Sequence, residues 1–279
     1  MKRIITFQDL SCAGKCSITA ALPVLSCLET ETVVIPTALL SNHTAFESFV
    51  SYDLSDRIIP VTKELEKNGI RPDAVYTGYM GSKEQIDAIM SFVENMGDDT
   101  GCLIVDPAMA DDGEMYSGLG RDFIPHMKRL VAKADLAIPN VTEAFLLLDR
   151  DYIPPEELDK AEAMEMLDAL SALGPAQVII TGIHSGSGDI GAICYDSKSG
   201  RYGECFKKKH DGTYLGGGDI FASVVSGRLL AGWDLKDAMS DAVCFVTRCI
   251  EETDRDPESR WYGLSFEKCL AELKTDKGR

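Results

Sequence analysis

Residues 73–106 read DAVYTGYMGSKEQIDAIMSFVENMGDDTGCLIVD. Asp73 to Thr77 is a short apolar run bounded by turn residues, which predicts a strand. The pattern from about Lys83 to Met96 predicts a helix, and Cys102 to Val105 the next strand. Two strands joined through a helix by short connections run parallel and lie in one sheet. Gly78 and Gly81 stand just past the first strand, where a loop can approach a ligand closely, and Asp106 opens the loop after the second.

The same alternation extends in both directions. Toward the N-terminus, Arg3 to Phe7 is a strand, Gln8, Asp9 and Ser11 belong to a loop, and about Lys15 to Leu28 is a helix. Thr32 to Pro36 is a second strand, followed by the polar cluster Ser41-Asn42-His43-Thr44, a capped loop or a ligand contact. A helix from Ile58 to Asn68 closes at Gly69. The segment Ser11 to Ser17, SCAGKCS, is not a phosphate-binding P-loop: that pattern needs Gly where Asp9 stands and Ser or Thr where Cys16 stands.

Toward the C-terminus comes DPAMADDG, Asp106 to Gly113. Carboxylates at this strand edge suit a hard cation, held directly or through water, although a solvated acidic loop has the same composition. A helix through Phe123 to Ala132, a strand from Leu136 to Pro139 and a helix opened by Asn140-Val141-Thr142-Glu143 follow. Local capping alone accounts for the Asn140–Glu143 spacing. After a loop containing Pro154-Pro155 and a helix from about Asp159 to Leu173, the strand Gln177 to Thr181 ends in Thr181-Gly182. Asp189 to Tyr195 and Tyr202 to Phe206 form a hairpin. Lys207, Lys208, Lys209 and His210 make the densest positive patch, and helices at about 235–252 and 264–273 complete the chain. These elements predict an α/β fold: a doubly wound, mostly parallel sheet with helices on both faces and a β-hairpin near the C-terminal third. Loops beyond the C-terminal strand ends gather Asp9, His43, Thr44, Tyr79, Asp106, Asp111, Asn140, Glu143 and Thr181 into one crevice.

Tyr214 to Gly227, YLGGGDIFASVVSG, joins that crevice. Gly216, Gly217 and Gly218 let the backbone turn its N–H groups toward one point, and the apolar pattern from Ile220 starts a helix whose positive end faces it. Such a point suits a phosphoryl group gaining charge in a transition state, and Asp219 stands where a carboxylate could take a proton from an attacking hydroxyl. The same residues also spell an ordinary N-cap after a tight turn.

The chain has 279 residues, 45% of them hydrophobic, enough for a substantial core. With 28 Lys and Arg against 45 Asp and Glu, a net charge of −17, it is no general nucleic-acid or anionic-membrane binder. No apolar run is long enough to span a membrane and no secretory leader is visible, so a cytoplasmic location is expected. The nine cysteines are scattered in apolar segments as reduced thiols without zinc-finger spacing.

The ordered set SNHT (41–44), TGYMGS (77–82), DPAMADDG (106–113), PNVTE (139–143), ITG (180–182) and GGGD (216–219) resembles the pyridoxal kinase branch of the ribokinase-like superfamily, over essentially the whole chain. The glycine loop marks the superfamily; SNHT and TGYMGS mark the vitamin B6 branch. The resemblance implies one ribokinase-like kinase domain, 1–279, transferring the ATP γ-phosphoryl group to the 5′-hydroxyl of pyridoxal, pyridoxamine or pyridoxine. By similarity, Asp219 is the base and Gly216 to Gly218 form the anion hole. Asn140, Glu143, Asp106 and Asp111 would organise Mg²⁺ and the phosphates, with Thr181 and Gly182 at the nucleotide. Asp9, His43, Thr44, Tyr79 and Tyr116 would line the ring pocket. A monovalent cation such as K⁺ and a homodimeric state belong to the same expectation. The alternatives are a hydroxymethylpyrimidine kinase and a catalytically silent ligand-binding relative. Two positions depart from the family pattern: Gly217, where Thr or Ala is common, and Asp9, where B6 kinases often carry Ser.

Overall fold

The computed structural model describes residues 1–274; residues 275–279 of the expected domain lie outside that range. Strand β1 (Arg3–Ala13) leads through α1 (Ser17–Cys27) to β2 (Glu31–Asn42), a short β3 (Ser51–Asp53) and α2 (Ser55–Lys67). Then come β4 (Ala74–Thr77), α3 (Lys83–Met96), β5 (Cys102–Val105) and a two-residue ladder of β6 (Ala110–Asp111) with β7 (Glu114–Met115). Helix α4 (Ile124–Val131), β8 (Leu136–Ala137), α5 (Val141–Leu147) and α6 (Lys160–Ala172) follow. The chain finishes with β9 (Gln177–His184), β10 (Asp189–Asp196), β11 (Arg201–Lys208), α7 (Gly217–Leu230), α8 (Leu235–Arg255) and α9 (Leu270–Leu273).

The main sheet runs in the order β11-β10-β9-β8-β5-β4-β1-β2-β3. The pairs β1–β2, β1–β4, β4–β5, β5–β8 and β8–β9 are parallel. Strand β3 is antiparallel at one edge, and β10 and β11 continue antiparallel at the other. The connection from β1 goes outward to β2, whereas the chain later returns to β4 on β1's other side, so β1 flanks the switch point where open α/β sheets bind ligands.

Successive strand residues serve opposite faces, which gives two cores. Ile5, Phe7, Val75, Val105, Val178 and Ile180 pack with residues of α2 to α6. Their neighbours Ile4, Ala74, Tyr76, Ile104 and Ile179 pack with α1, α7, α8 and the C-terminal turns. Helix α7 is buried without a break from Ile220 to Arg228, which is why its apolar residues show no clean stripe. Arg228 is charged inside that layer. Its guanidinium donates to Asp241 at 2.7 Å and to the Leu273 carbonyl at 3.0 Å, and lies over Trp233, tying α7 to α8 and α9.

The sheet is larger than the apolar runs suggest. Strands expected to end at Phe7 and Pro36 continue to Ala13 and Asn42, and Gln8, Asp9 and Ser11 lie in β1 rather than in a loop. Backbone pairing carries this extension, from Leu10↔Leu39 to Ala13↔Asn42. The edge strand β3 and the β6–β7 ladder were not expected, being polar and two or three residues long. The hairpin at β10–β11 is present and also pairs with β9. The helix expected at 264–273 is a 3₁₀ turn at Phe266–Lys268 followed by α9. Among the described residues, no helix is long and apolar enough to cross a membrane.

Candidate active site

Gly216 caps α7 with φ of 79°. A Cβ there would fall 2.0 Å from the Lys15 carbonyl oxygen, so the turn needs both the left-handed backbone and the missing side chain. Helix α7 starts at Gly217, which places Asp219 at its third residue. The capping alternative for Asp219 fails, since the cap is Gly216 and no side chain bonds to it. The first N–H groups of α7 have no intrahelical acceptor and form a cradle at the helix's positive end. Gly217 differs from Gly216: its φ is not positive, and a Cβ would meet only Leu264 and Val246, at 3.9 Å. Gly217→Ala should therefore keep kcat within about threefold and stabilise the protein by about 0.4–1 kcal/mol, as measured by steady-state kinetics and denaturant unfolding.

Burial pushes the Asp219 carboxyl up to about 7; the Ser17 backbone N–H offsets part of the effect and the Asp9 charge adds to it. Ser17 itself holds φ of 44°, an uncommon backbone for serine, at the loop that Gly216 contacts. Lys15 fastens the same loop to the C-terminal region: its ammonium donates to Glu267 at 2.7 Å and to the Leu264 carbonyl at 2.9 Å.

The acidic wall rises from the ends of β5 and β8. The Asn140 side chain accepts from the Glu143 N–H at 2.8 Å, while the Glu143 carboxylate accepts from the N–H groups of Asn140 at 2.9 Å and Met109 at 3.0 Å. Asn140 also donates to the Ala110 carbonyl at 2.8 Å and pairs as a single parallel bridge with Thr181. Capping and cavity lining thus coincide at these residues. Burial raises Asp106 and Glu143, with the Glu143 and Asp219 charges adding to the rise at Asp106. Asp106 shows no hydrogen-bond donor from the protein among the described residues, which leaves its oxygens for a bound group. Asp111 is raised chiefly by burial.

Asp9, whose charge reaches Asp219, accepts from Ser11 Oγ at 3.0 Å. The Tyr79 and Tyr116 rings lie with centroids 6.4 Å apart, and Tyr116 stands beside the Glu143, Asp111 and Asp106 carboxylates. One cavity of about 780 Å³ collects the catalytic, nucleotide, metal and ring-pocket candidates of the sequence: Asp9, His43, Thr44, Tyr79, Asp106, Asp111, Tyr116, Asn140, Glu143, Thr181, Gly182 and Gly216 to Asp219. It also includes residues not foreseen. Val243, Val246 and Ile250 of α8 give it an apolar stripe at helical spacing, a pattern visible in the sequence but indistinguishable there from core. Cys16 and Ser17 enter through the tight β1–α1 loop, which no sequence signal marks. Of the basic patch at 207–210 only Lys209 reaches the cavity, where it pairs with Glu156 at 3.3 Å; His210 pairs with Asp254 at 2.9 Å. Among the described residues no three His, Cys, Asp or Glu side chains converge as a ready metal cage.

An open, mostly parallel sheet, a glycine turn at a helix N-terminus that suits an anion and a carboxylate beside it, together with the relatives below, define a small-molecule kinase of the ribokinase-like class, a transferase with an alcohol acceptor. The chain belongs to the phosphomethylpyrimidine kinase family, whose model matches residues 11–259. The pyridoxal kinase of Sus scrofa is 29% identical over 244 residues, 80% of this chain and 73% of the relative. The hydroxymethylpyrimidine/phosphomethylpyrimidine kinase of Mycobacterium leprae is 26% identical over 270 residues, 94% of this chain and 92% of its own. Among solved structures, a Bacteroides thetaiotaomicron protein provisionally described as a phosphomethylpyrimidine kinase, in a crystal form with pyridoxal, superposes with a TM-score of 0.93. It is 33% identical and the match covers 98% of this chain and 96% of that one. The pyridoxal kinase of Lactobacillus plantarum gives a TM-score of 0.88 at 28% identity over 98% and 96% of the two chains. The resemblance to the pyridoxal kinase branch is borne out.

Proposed function

We propose that this enzyme transfers the γ-phosphoryl group of ATP to the 5′-hydroxyl of a vitamin B6 vitamer, with Asp219 as the base. The observation that carries this reading is the placement of Asp219 beside the left-handed Gly216 turn, both lining the one cavity that also holds Tyr79, Tyr116, Asp9 and His43. The triphosphate lies toward Asn140, Thr181 and Glu143 with the adenine against the α8 stripe, and the pyridine ring lies between the tyrosines. N–H groups of Gly217 and Gly218 receive the charge that builds on the transferring phosphoryl group, while Asp219 accepts the hydroxyl proton. Phosphoryl transfer of this kind depends mainly on positioning and charge stabilisation.

The donor set fits Mg²⁺ held largely through water and phosphate oxygens. Asp106 offers an unpartnered carboxylate, whereas the Glu143 oxygens are partly taken by N–H groups and Asp111 stands further out. When bound, such an ion supplies charge neutralisation to the phosphates. The unpaired cysteines and the absence of a long apolar helix among the described residues support a cytoplasmic enzyme. A homodimer is the expected assembly.

A second reading, phosphorylation of hydroxymethylpyrimidine, is favoured by the family's own description and by the Mycobacterium leprae relative. Steady-state rates for pyridoxal, pyridoxamine, pyridoxine and hydroxymethylpyrimidine, measured side by side with ATP, Mg²⁺ and K⁺, separate the two. At least one B6 vitamer should exceed the pyrimidine in kcat/KM by tenfold or more; the reverse order replaces the first reading with the second.

A further inference from the structure

The cavity wall beside Asp219 holds a buried carboxylate, Asp9, with no cation beside it. Asp9 is 6% exposed and lies where β1 and β2 slip register between Gln8 and Leu10. A bulge at such a place re-aims a side chain toward a site. Its carboxylate accepts from Ser11 Oγ at 3.0 Å and from the Ser17 hydroxyl. The other groups that face it are Tyr79, Cys16 and Asp219, none of them cationic.

His43 is the one base near it, and burial lowers its pKa, so the ring is neutral at neutral pH. His43 Nδ1 accepts from the Ala45 N–H at 3.0 Å, which places the neutral ring's proton on Nε2 as a donor. Lys209, the one Lys or Arg lining the cavity among the described residues, is engaged by Glu156. Two hydroxyls and its own backbone N–H compensate this carboxylate incompletely, so burial still pushes it up, and a cationic nitrogen from a ligand completes it.

We infer that Asp9 pairs with a protonated nitrogen of the acceptor substrate while His43 Nε2–H donates to an oxygen of the same ring system. The pocket thereby selects heteroaromatic alcohols that carry a cationic nitrogen. This selection rests on the reading of the cavity as the acceptor site of a B6 kinase. Two nitrogens qualify: the ring nitrogen shared by all vitamers, and the aminomethyl nitrogen of pyridoxamine alone.

The test compares kcat/KM for pyridoxal, pyridoxamine and pyridoxine at saturating ATP in the wild type, Asp9→Asn and Asp9→Ser. Both variants should lose about 10- to 100-fold in acceptor kcat/KM, the scale of one charge-assisted hydrogen bond, with the ATP KM within about threefold of wild type. A loss confined to pyridoxamine assigns the aminomethyl nitrogen; an equal loss for all three assigns the ring nitrogen. Thermal melting of the ligand-free variants at or above the wild-type temperature separates these effects from misfolding. Unchanged acceptor kcat/KM in folded variants, or a loss that appears in the ATP KM instead, overturns the pairing. If the wild type prefers hydroxymethylpyrimidine, the same comparison is read on that acceptor, whose aminopyrimidine also carries a protonatable nitrogen. The B6 reading and the Asp9 pairing then fail separately.

Discussion

Asp219→Asn is expected to lower kcat by about 10²- to 10⁴-fold while ATP affinity stays within about tenfold, because the lost group acts on the hydroxyl proton in the transition state. Steady-state kinetics and nucleotide titration measure the two halves; an unchanged kcat removes Asp219 as the base. The same substitution should stabilise the ligand-free protein. Asp219 titrates at about 7 in the fold against an ordinary value of 3.8, so its ionisation opposes folding. The stability the carboxyl contributes when protonated is present below about pH 4 and lost as pH rises through 7. Replacing it by Asn should therefore change Tm little at pH 4 and raise it by about 3–8 °C at pH 8, the ceiling being about 4 kcal/mol. In the wild type, kcat/KM for the acceptor should rise with pH through about 7 as the Asp219 carboxyl ionises.

Gly216→Ala should have the second largest effect. The added methyl would lie 2.0 Å from the Lys15 carbonyl oxygen, and the backbone at φ of 79° disfavours any side chain. Relief requires the turn to move away from the Lys15–Ser17 loop, and with it the N–H groups at the start of α7. Loss of an aligned donor to a developing anion costs about 10²–10³ in kcat. Gly217→Ala, one residue further on and free of clash, is the control: if both alanine variants keep near-wild-type kcat, the turn is not the anion cradle.

The contrast between these neighbouring glycines shows where sequence reading stops. Three glycines before an acidic residue signalled a special turn, but their order of importance depends on Lys15, some two hundred residues away in the chain. The fold was legible where burial imposes a period. Helix α3 and strand β5 occupy the expected residues, Lys83–Met96 and Cys102–Val105, because α3 packs on the first core and β5 is buried between both. The extensions of β1 and β2 were not legible, since Gln8, Asp9 and Ser11 break the apolar run while backbone pairing continues through them. That extension is what brings Asp9 and His43 to the cavity. Asn140 and Glu143 show a different limit: their spacing correctly announces a capping box, yet only the fold shows the same box lining the site. The charge run 207–210 misled in part, because charge density says nothing about direction and only Lys209 turns inward.

The most direct measurement identifies the product. Wild-type enzyme is incubated with MgATP and each B6 vitamer, and phosphorus NMR follows ATP loss and ester formation. The proposed chemistry requires one 5′-phosphate ester for each ADP released, with Asp219→Asn forming neither at a comparable rate. ADP release without a 5′-ester on any vitamer, or ester formation undiminished in Asp219→Asn, would contradict it.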